Sequence, residues 1–134
     1  MFKQNYTEVR GKSPLPLIQL QLKNSDNSNV IIIEEAILDT GADCTLIPFS
    51  IIAKLQPKSL IRGSHKKIIY GVGKNKIITV PYRILMSFDR INFLKIKVYA
   101  CPDDDTDSLI IIGRNFLNRF CVTFDGRARL FIIE

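Results

Sequence analysis

Ile37-Leu38-Asp39-Thr40-Gly41-Ala42-Asp43-Cys44-Thr45-Leu46-Ile47-Pro48 places one carboxylate on a tight turn between two apolar runs. Apolar side chains lead into the turn and out of it, so it belongs at the edge of a sheet, with Asp39 held on nearly immobile backbone. Gly41 is the expected pivot, because without a β-carbon it takes backbone angles or a close approach closed to other residues. Thr40 adds a hydroxyl small enough to bond neighbouring backbone or to reach across a symmetry axis. An acid fixed in this way suits chemistry.

Upstream, Pro14 to Leu22 alternates apolar with polar residues and is the expected first core strand. Asn24 to Asn29 is a turn cluster, Val30 to Ile33 a second strand, and Glu34-Glu35 separates it from the Ala36-Ile37-Leu38 run that delivers Asp39. Residues 1–13 are polar and read as a flexible arm, leaving 14–134 as the folded domain.

Downstream, Phe49 to Leu55 reads as a short helix or turn ended by Pro57. Lys66 to Tyr70 and Lys76 to Val80 are apolar segments joined by Gly71-Val72-Gly73-Lys74-Asn75, the pattern of a β-hairpin. Tyr82 to Phe88 and Ile91 to Ala100 form another strand pair around Asp89-Arg90. The acidic run Asp103-Asp104-Asp105-Thr106-Asp107 lacks the glycine and terminal glutamate of a calcium loop and reads as a solvated loop. Ser108 to Gly113 is a buried strand, and Arg114 to Phe120 a short helix that turns Phe116, Leu117 and Phe120 to the core. Asp125-Gly126-Arg127 makes the last hairpin, between Val122 to Phe124 and Ala128 to Ile133.

The chain has 134 residues, enough for one domain with a real core, and its 46% hydrophobic content is rich in β-branched residues that favour sheet. It contains no apolar run of membrane-spanning length, and the polar start Met1-Phe2-Lys3-Gln4-Asn5 is no secretory signal, so a soluble, cytoplasmic protein is expected. Cys44, Cys101 and Cys121 lack CxxC spacing and have apolar neighbours, which suggests buried thiols in a reducing compartment. The net charge of +6 is scattered, and Lys95-Ile96-Lys97-Val98 has the alternation of a strand's solvent face. Neither this pattern nor any motif points to direct nucleic-acid binding. The residue types for a metal site are missing, and the single histidine, His65, lies among basic residues with no nucleophile motif to serve.

Asp39-Thr40-Gly41-Ala42 after two apolar residues resembles the active-site loop of the retropepsin-like aspartic proteases. Leu109 to Leu117, with Ile112-Gly113-Arg114-Asn115 at its centre, is similar to the second signature of that family, and Tyr70-Gly71-Val72-Gly73-Lys74 to its glycine-rich flap tip. The resemblance runs from about Leu15 to the C-terminus. It implies an all-β, barrel-like single lobe with a flap over about residues 66–80 and one short C-terminal helix. It further implies that Arg114 pairs with Asp43 and locks the active-site loop, with Ile112, Gly113 and Asn115 supporting the same junction. The longer ending looks more like the retropepsin-like domains of DNA-damage-inducible proteins than the compact retroviral enzymes.

The activity so implied is peptide-bond hydrolysis by a water activated between two acids. Only one Asp-Thr-Gly is present, so a homodimer is expected, with Asp39 from each copy meeting at the twofold axis. Two carboxylates so close share a proton, an effect known from aspartic protease dyads themselves, and activity should favour acidic to neutral pH without metal or cofactor. A polypeptide substrate, the chain's own precursor among the candidates, would lie extended beneath the flaps. It would pair with Ala42, Asp43 and Gly71 to Gly73, with Ile47, Tyr70, Val72 and residues 77–85 around the pockets. The alternative is a catalytically silent dimeric module that binds peptides, but a pure scaffold has no need to keep a costly acid pair.

Overall fold

Residues 1–25, 31–57, 67–71 and 75–134 are described by the computed structural model, and over them the apolar runs sort into ten strands, two short helices and a 3-10 turn. The strands are β1 (Phe2–Asn5), β2 (Leu17–Asn24), β3 (Ile32–Leu38), β4 (Thr45–Pro48) and β5 (Lys67–Tyr70). They continue with β6 (Lys76–Ser87), β7 (Leu94–Cys101), β8 (Ile110–Ile112), β9 (Val122–Asp125) and β10 (Leu130–Ile133). Helix α1 spans Phe49–Leu55, the 3-10 turn Asp103–Thr106, and α2 Arg114–Leu117.

Six strands close into a barrel in the order β2-β3-β8-β4-β7-β6, and β6 returns to β2 through Gln21↔Ser87 to Asn24↔Ile84. Closure removes the open edges that invite pairing with other chains. Period-two alternation fills the interior: Ile18, Leu20 and Leu22 from β2, Ile84 and Met86 from β6, and Ile96 and Val98 from β7 are all buried. Lys95 and Lys97 take the outer face of β7. Each such apolar side chain contributes about 1.5–3 kcal/mol by leaving water. Two pairings are parallel, β3 with β8 and β4 with β7, and the first brings the end of β3 beside the end of β8. The site forms there.

Several expectations are corrected by long-range packing. The first residues are not a loose arm: β1 pairs with β10 from Phe2↔Ile133 to Asn5↔Leu130, and β9 completes a three-stranded sheet. Phe2 anchors it, with its ring 5.5 Å from Phe88 and 6.1 Å from the fully buried Phe131. Glu34 and Glu35 do not interrupt β3 but lie within it. β6 runs unbroken through Pro81, which falls where the strand's second edge passes from β5 to β2, a place where a missing N–H is tolerated. Helix α1 forms on its buried Ile51, Ile52 and Leu55, so the C-terminal helix is not alone. Cys44 and Cys101 are buried as expected, but Cys121 is exposed. No helix among the described residues is long and apolar enough to cross a membrane.

Candidate active site

β3 ends at Leu38, and the chain turns immediately at Asp39, whose N–H donates to Ile112 O at 2.9 Å. Ala42 N–H donates back to Asp39 O at 3.2 Å and closes the turn. Gly41 N–H donates to the Asp39 carboxylate, with N to Oδ1 at 2.9 Å, and a β-carbon on Gly41 would stand 3.1 Å from the same oxygen. Close approach, rather than a left-handed backbone, is therefore what glycine supplies here. Asp39 is half-buried, while Thr40 and Gly41 are exposed.

A second chain segment locks this turn from behind. Arg114 N–H donates to Ala42 O at 2.8 Å, its guanidinium donates to Thr40 O at 2.7 Å, and the same group pairs with the Asp43 carboxylate. Gly113 passes so close to the loop that a β-carbon there would meet Cys44 O at 2.2 Å and the Cys44 carbonyl carbon at 2.5 Å. Thr45, fully buried, accepts from Gly113 N–H at 3.2 Å and donates its hydroxyl proton to Asn115 Oδ1 at 2.7 Å. Asn115 Nδ2 in turn donates to Lys97 O at 2.9 Å, tying the junction to β7. Charge-assisted and buried hydrogen bonds of this kind fix coordinates more firmly than packing alone.

In front of Asp39 opens a cleft of about 470 Å³. Asp39, Gly41, Ala42 and Asp43 line its floor, and Ile68, Ile69, Tyr70, Gly71 and Ile77 of the β5–β6 hairpin face them. Cys44, Leu46, Ile111 and Asp105 complete the walls. Ile47, expected in a pocket, is instead completely buried in the barrel core, and its neighbour Leu46 lines the cleft. β4 is buried on both faces, so its pattern gives no sign of which residue faces the cleft. Ile112, Gly113, Arg114 and Asn115 stand behind the loop rather than in the cleft. Val72, Gly73 and His65 lie outside the described residues. Sequence reasoning missed Cys44, Leu46, Ile111 and Asp105 as lining residues, because barrel closure brings the first three together and the 3-10 turn places the fourth.

Burial pushes the Cys101 thiol up to about 11, and the nearby carboxylates of Asp105 and Asp103 push the same way, so it is a neutral thiol at physiological pH. Asp103 is held below the usual carboxylate range by hydrogen bonds from the Ser50 side chain and from Ser50 N–H, the latter at 3.1 Å. Its tie to the start of α1 is therefore kept through that range and is lost only as pH falls below it, through the lowered value of Asp103. Among the described residues no group of three or more His, Cys, Asp or Glu is placed to hold a metal ion.

Solved structures share this fold, three of them as follows. A retropepsin-like aspartic protease from Rickettsia conorii aligns with a TM-score of 0.66 at 18% identity, covering 98% of this chain and 89% of that one. EIAV protease complexed with the inhibitor HBY-793 aligns at 0.54 and 19% identity over 84% of this chain and 92% of its own. The retroviral protease-like domain of Ddi1 from Leishmania major aligns at 0.50 and 16% identity, covering 90% of each chain. No curated protein gives a significant sequence match. The profile of the retroviral aspartyl protease family matches residues 12–124, which spans the Asp39 turn, the hairpin and the Gly113 junction, and the chain belongs to that family.

Proposed function

We propose that the chain is an aspartic endopeptidase that works as a homodimer, each copy supplying one Asp39. The observation that carries this reading is the Asp39 carboxylate itself, held by Gly41 N–H at the floor of a cleft, on a loop keyed to α2 by Arg114. Such fixing supplies the positioning that acid–base catalysis requires. The paired carboxylates hold one proton between them. The ionised one takes a proton from water as the water oxygen attacks the peptide carbonyl carbon, and the protonated one gives its proton to the carbonyl oxygen. The gem-diol collapses as a proton passes to the amine nitrogen and the C–N bond breaks. Ala42, Asp43, Tyr70 and Gly71, with Val72 and Gly73, pair with the extended backbone of the substrate. The β5–β6 hairpin closes over it as a flap.

Cleavage of a mixed peptide library from pH 3 to 8, at several protein concentrations, tests this with Asp39→Asn beside the parent. The parent should cleave with specific activity that rises with concentration, and the variant should lose about a thousandfold or more in kcat/KM while remaining folded. Folded dimers that bind peptide but never cleave would instead support the silent binding module.

A further inference from the structure

The acidic run on the β7–β8 connection is put to different uses residue by residue. Asp103 accepts Ser50 N–H at the start of α1, Asp107 stands 3.8 Å from Lys12, and Thr106 is buried beneath them. Asp105 alone of the four acids lines the cleft that holds Asp39. Its placement is set by a hydrogen-bonded turn: Asp105 N–H donates to Pro102 O at 3.1 Å, Ser108 N–H to Asp103 O at 2.9 Å and Leu109 N–H to Thr106 O at 3.0 Å.

The charges of the cleft have unequal freedom. Asp43 is matched by Arg114, and Asp39 is committed to the reaction. Among the described residues that line the cleft there is no lysine or arginine. Asp105 is exposed, so among the described lining residues it is the acid left to meet a substrate side chain. This acidity is local, since the chain as a whole carries a net charge of +6.

We propose that Asp105 is a specificity-determining residue, whose carboxylate selects polypeptides that carry lysine or arginine at a position flanking the bond to be cut. The inference rests on the protease reading for the reaction, although the same charge would sort peptides that are bound without being cut. An ammonium or guanidinium group beside Asp105 gains a partner that tightens as the hairpin excludes water, and an acidic residue there is repelled. A twofold dimer carries two copies of Asp105, so the preference falls on both sides of the scissile bond.

A set of peptides that differ only in Lys, Gln or Glu at each flanking position tests this in two readouts. One is kcat/KM with the parent, the other Kd for the Asp39→Asn chain, which binds without cleaving. Lys should be preferred over Gln by about threefold or more at one position on each side, and over Glu by more. Asp105→Asn should bring the Lys-to-Gln ratio to about one, Asp105→Lys should invert it in favour of Glu, and added salt should weaken it. Equal treatment of Lys and Gln at every position by the parent, or a preference that survives in Asp105→Asn, would overturn the role of Asp105 while cleavage itself left the protease reading standing. Binding with a Lys preference but no cleavage would overturn the protease reading and keep the inference. Absence of both binding and cleavage would overturn both.

Discussion

The loop that carries Asp39 and the β5–β6 hairpin that faces it across the cleft are secured by different forces. The loop is tied to the segment 112–115 by hydrogen bonds that involve Asp39, Arg114 and Thr45, and its backbone packs directly on that of Gly113. The hairpin has its own ladder, Lys67↔Thr79 to Tyr70↔Lys76, and one apolar strip, Ile69 and Ile77, against Cys44, Leu46, Tyr99 and Cys101. Ile68 at 49%, Tyr70 at 65% and Ile78 at 55% stay exposed, so these side chains of the hairpin are only lightly held among the described residues. A two-stranded ribbon is marginal alone and depends on such a strip. Under the proposed protease reading, one wall would fix the reacting carboxylate, which proximity catalysis demands, while the other would part for an entering chain.

The sharpest way to break the fixed wall is Gly113→Ala. The new β-carbon would sit 2.2 Å from a backbone oxygen, and neither segment can yield without losing the hydrogen bonds described. We expect a loss of about 3 kcal/mol or more in urea-induced unfolding, among the larger effects of a single methyl group. A loss below about 1 kcal/mol would mean that the loop is compliant, and the contrast with the hairpin would fall.

Thr45→Val probes the same wall more gently. It keeps the shape but leaves Gly113 N–H and Asn115 Oδ1 without the hydroxyl that joins them, at an expected cost of about 1–3 kcal/mol. Thr45→Ser, which keeps the hydroxyl, should recover most of that in the same unfolding assay.

How much of this was legible in the sequence depends on the range of the interaction. Asp39 at a strand end, the hairpin arms and the buried alternation of β2 and β7 follow from local periodicity, and the structure has them. The pairing of Arg114 with Asp43 rested on resemblance alone, since residues 71 apart in sequence carry no local sign of contact. Phe2 reads as part of a polar arm because its partners, Phe88 and Phe131, are far from it in the sequence. Ile47 reads as a pocket residue in place of Leu46 because a strand buried on both faces has no alternation to read. Asp105 looked like its neighbours in a solvated run, and only the 3-10 turn separates their roles.

The smallest effect should come from the hairpin, and it completes the comparison. Ile77→Ala removes half of the apolar strip without touching the ladder, so global stability should fall by only about 1 kcal/mol, less than a fully buried isoleucine would cost. The informative readout is native-state hydrogen exchange. Amides of β5 and the first half of β6 should exchange several-fold faster, while those of Asp39 and Arg114 keep their protection, because the hairpin opens as its own unit. In cleavage assays the same change should raise KM more than it lowers kcat, since it loosens the wall that holds substrate and leaves the carboxylate in place. Exchange that quickened equally at Asp39 would show the two walls to be one cooperative body, and closure of the hairpin would then have to move the acid as well.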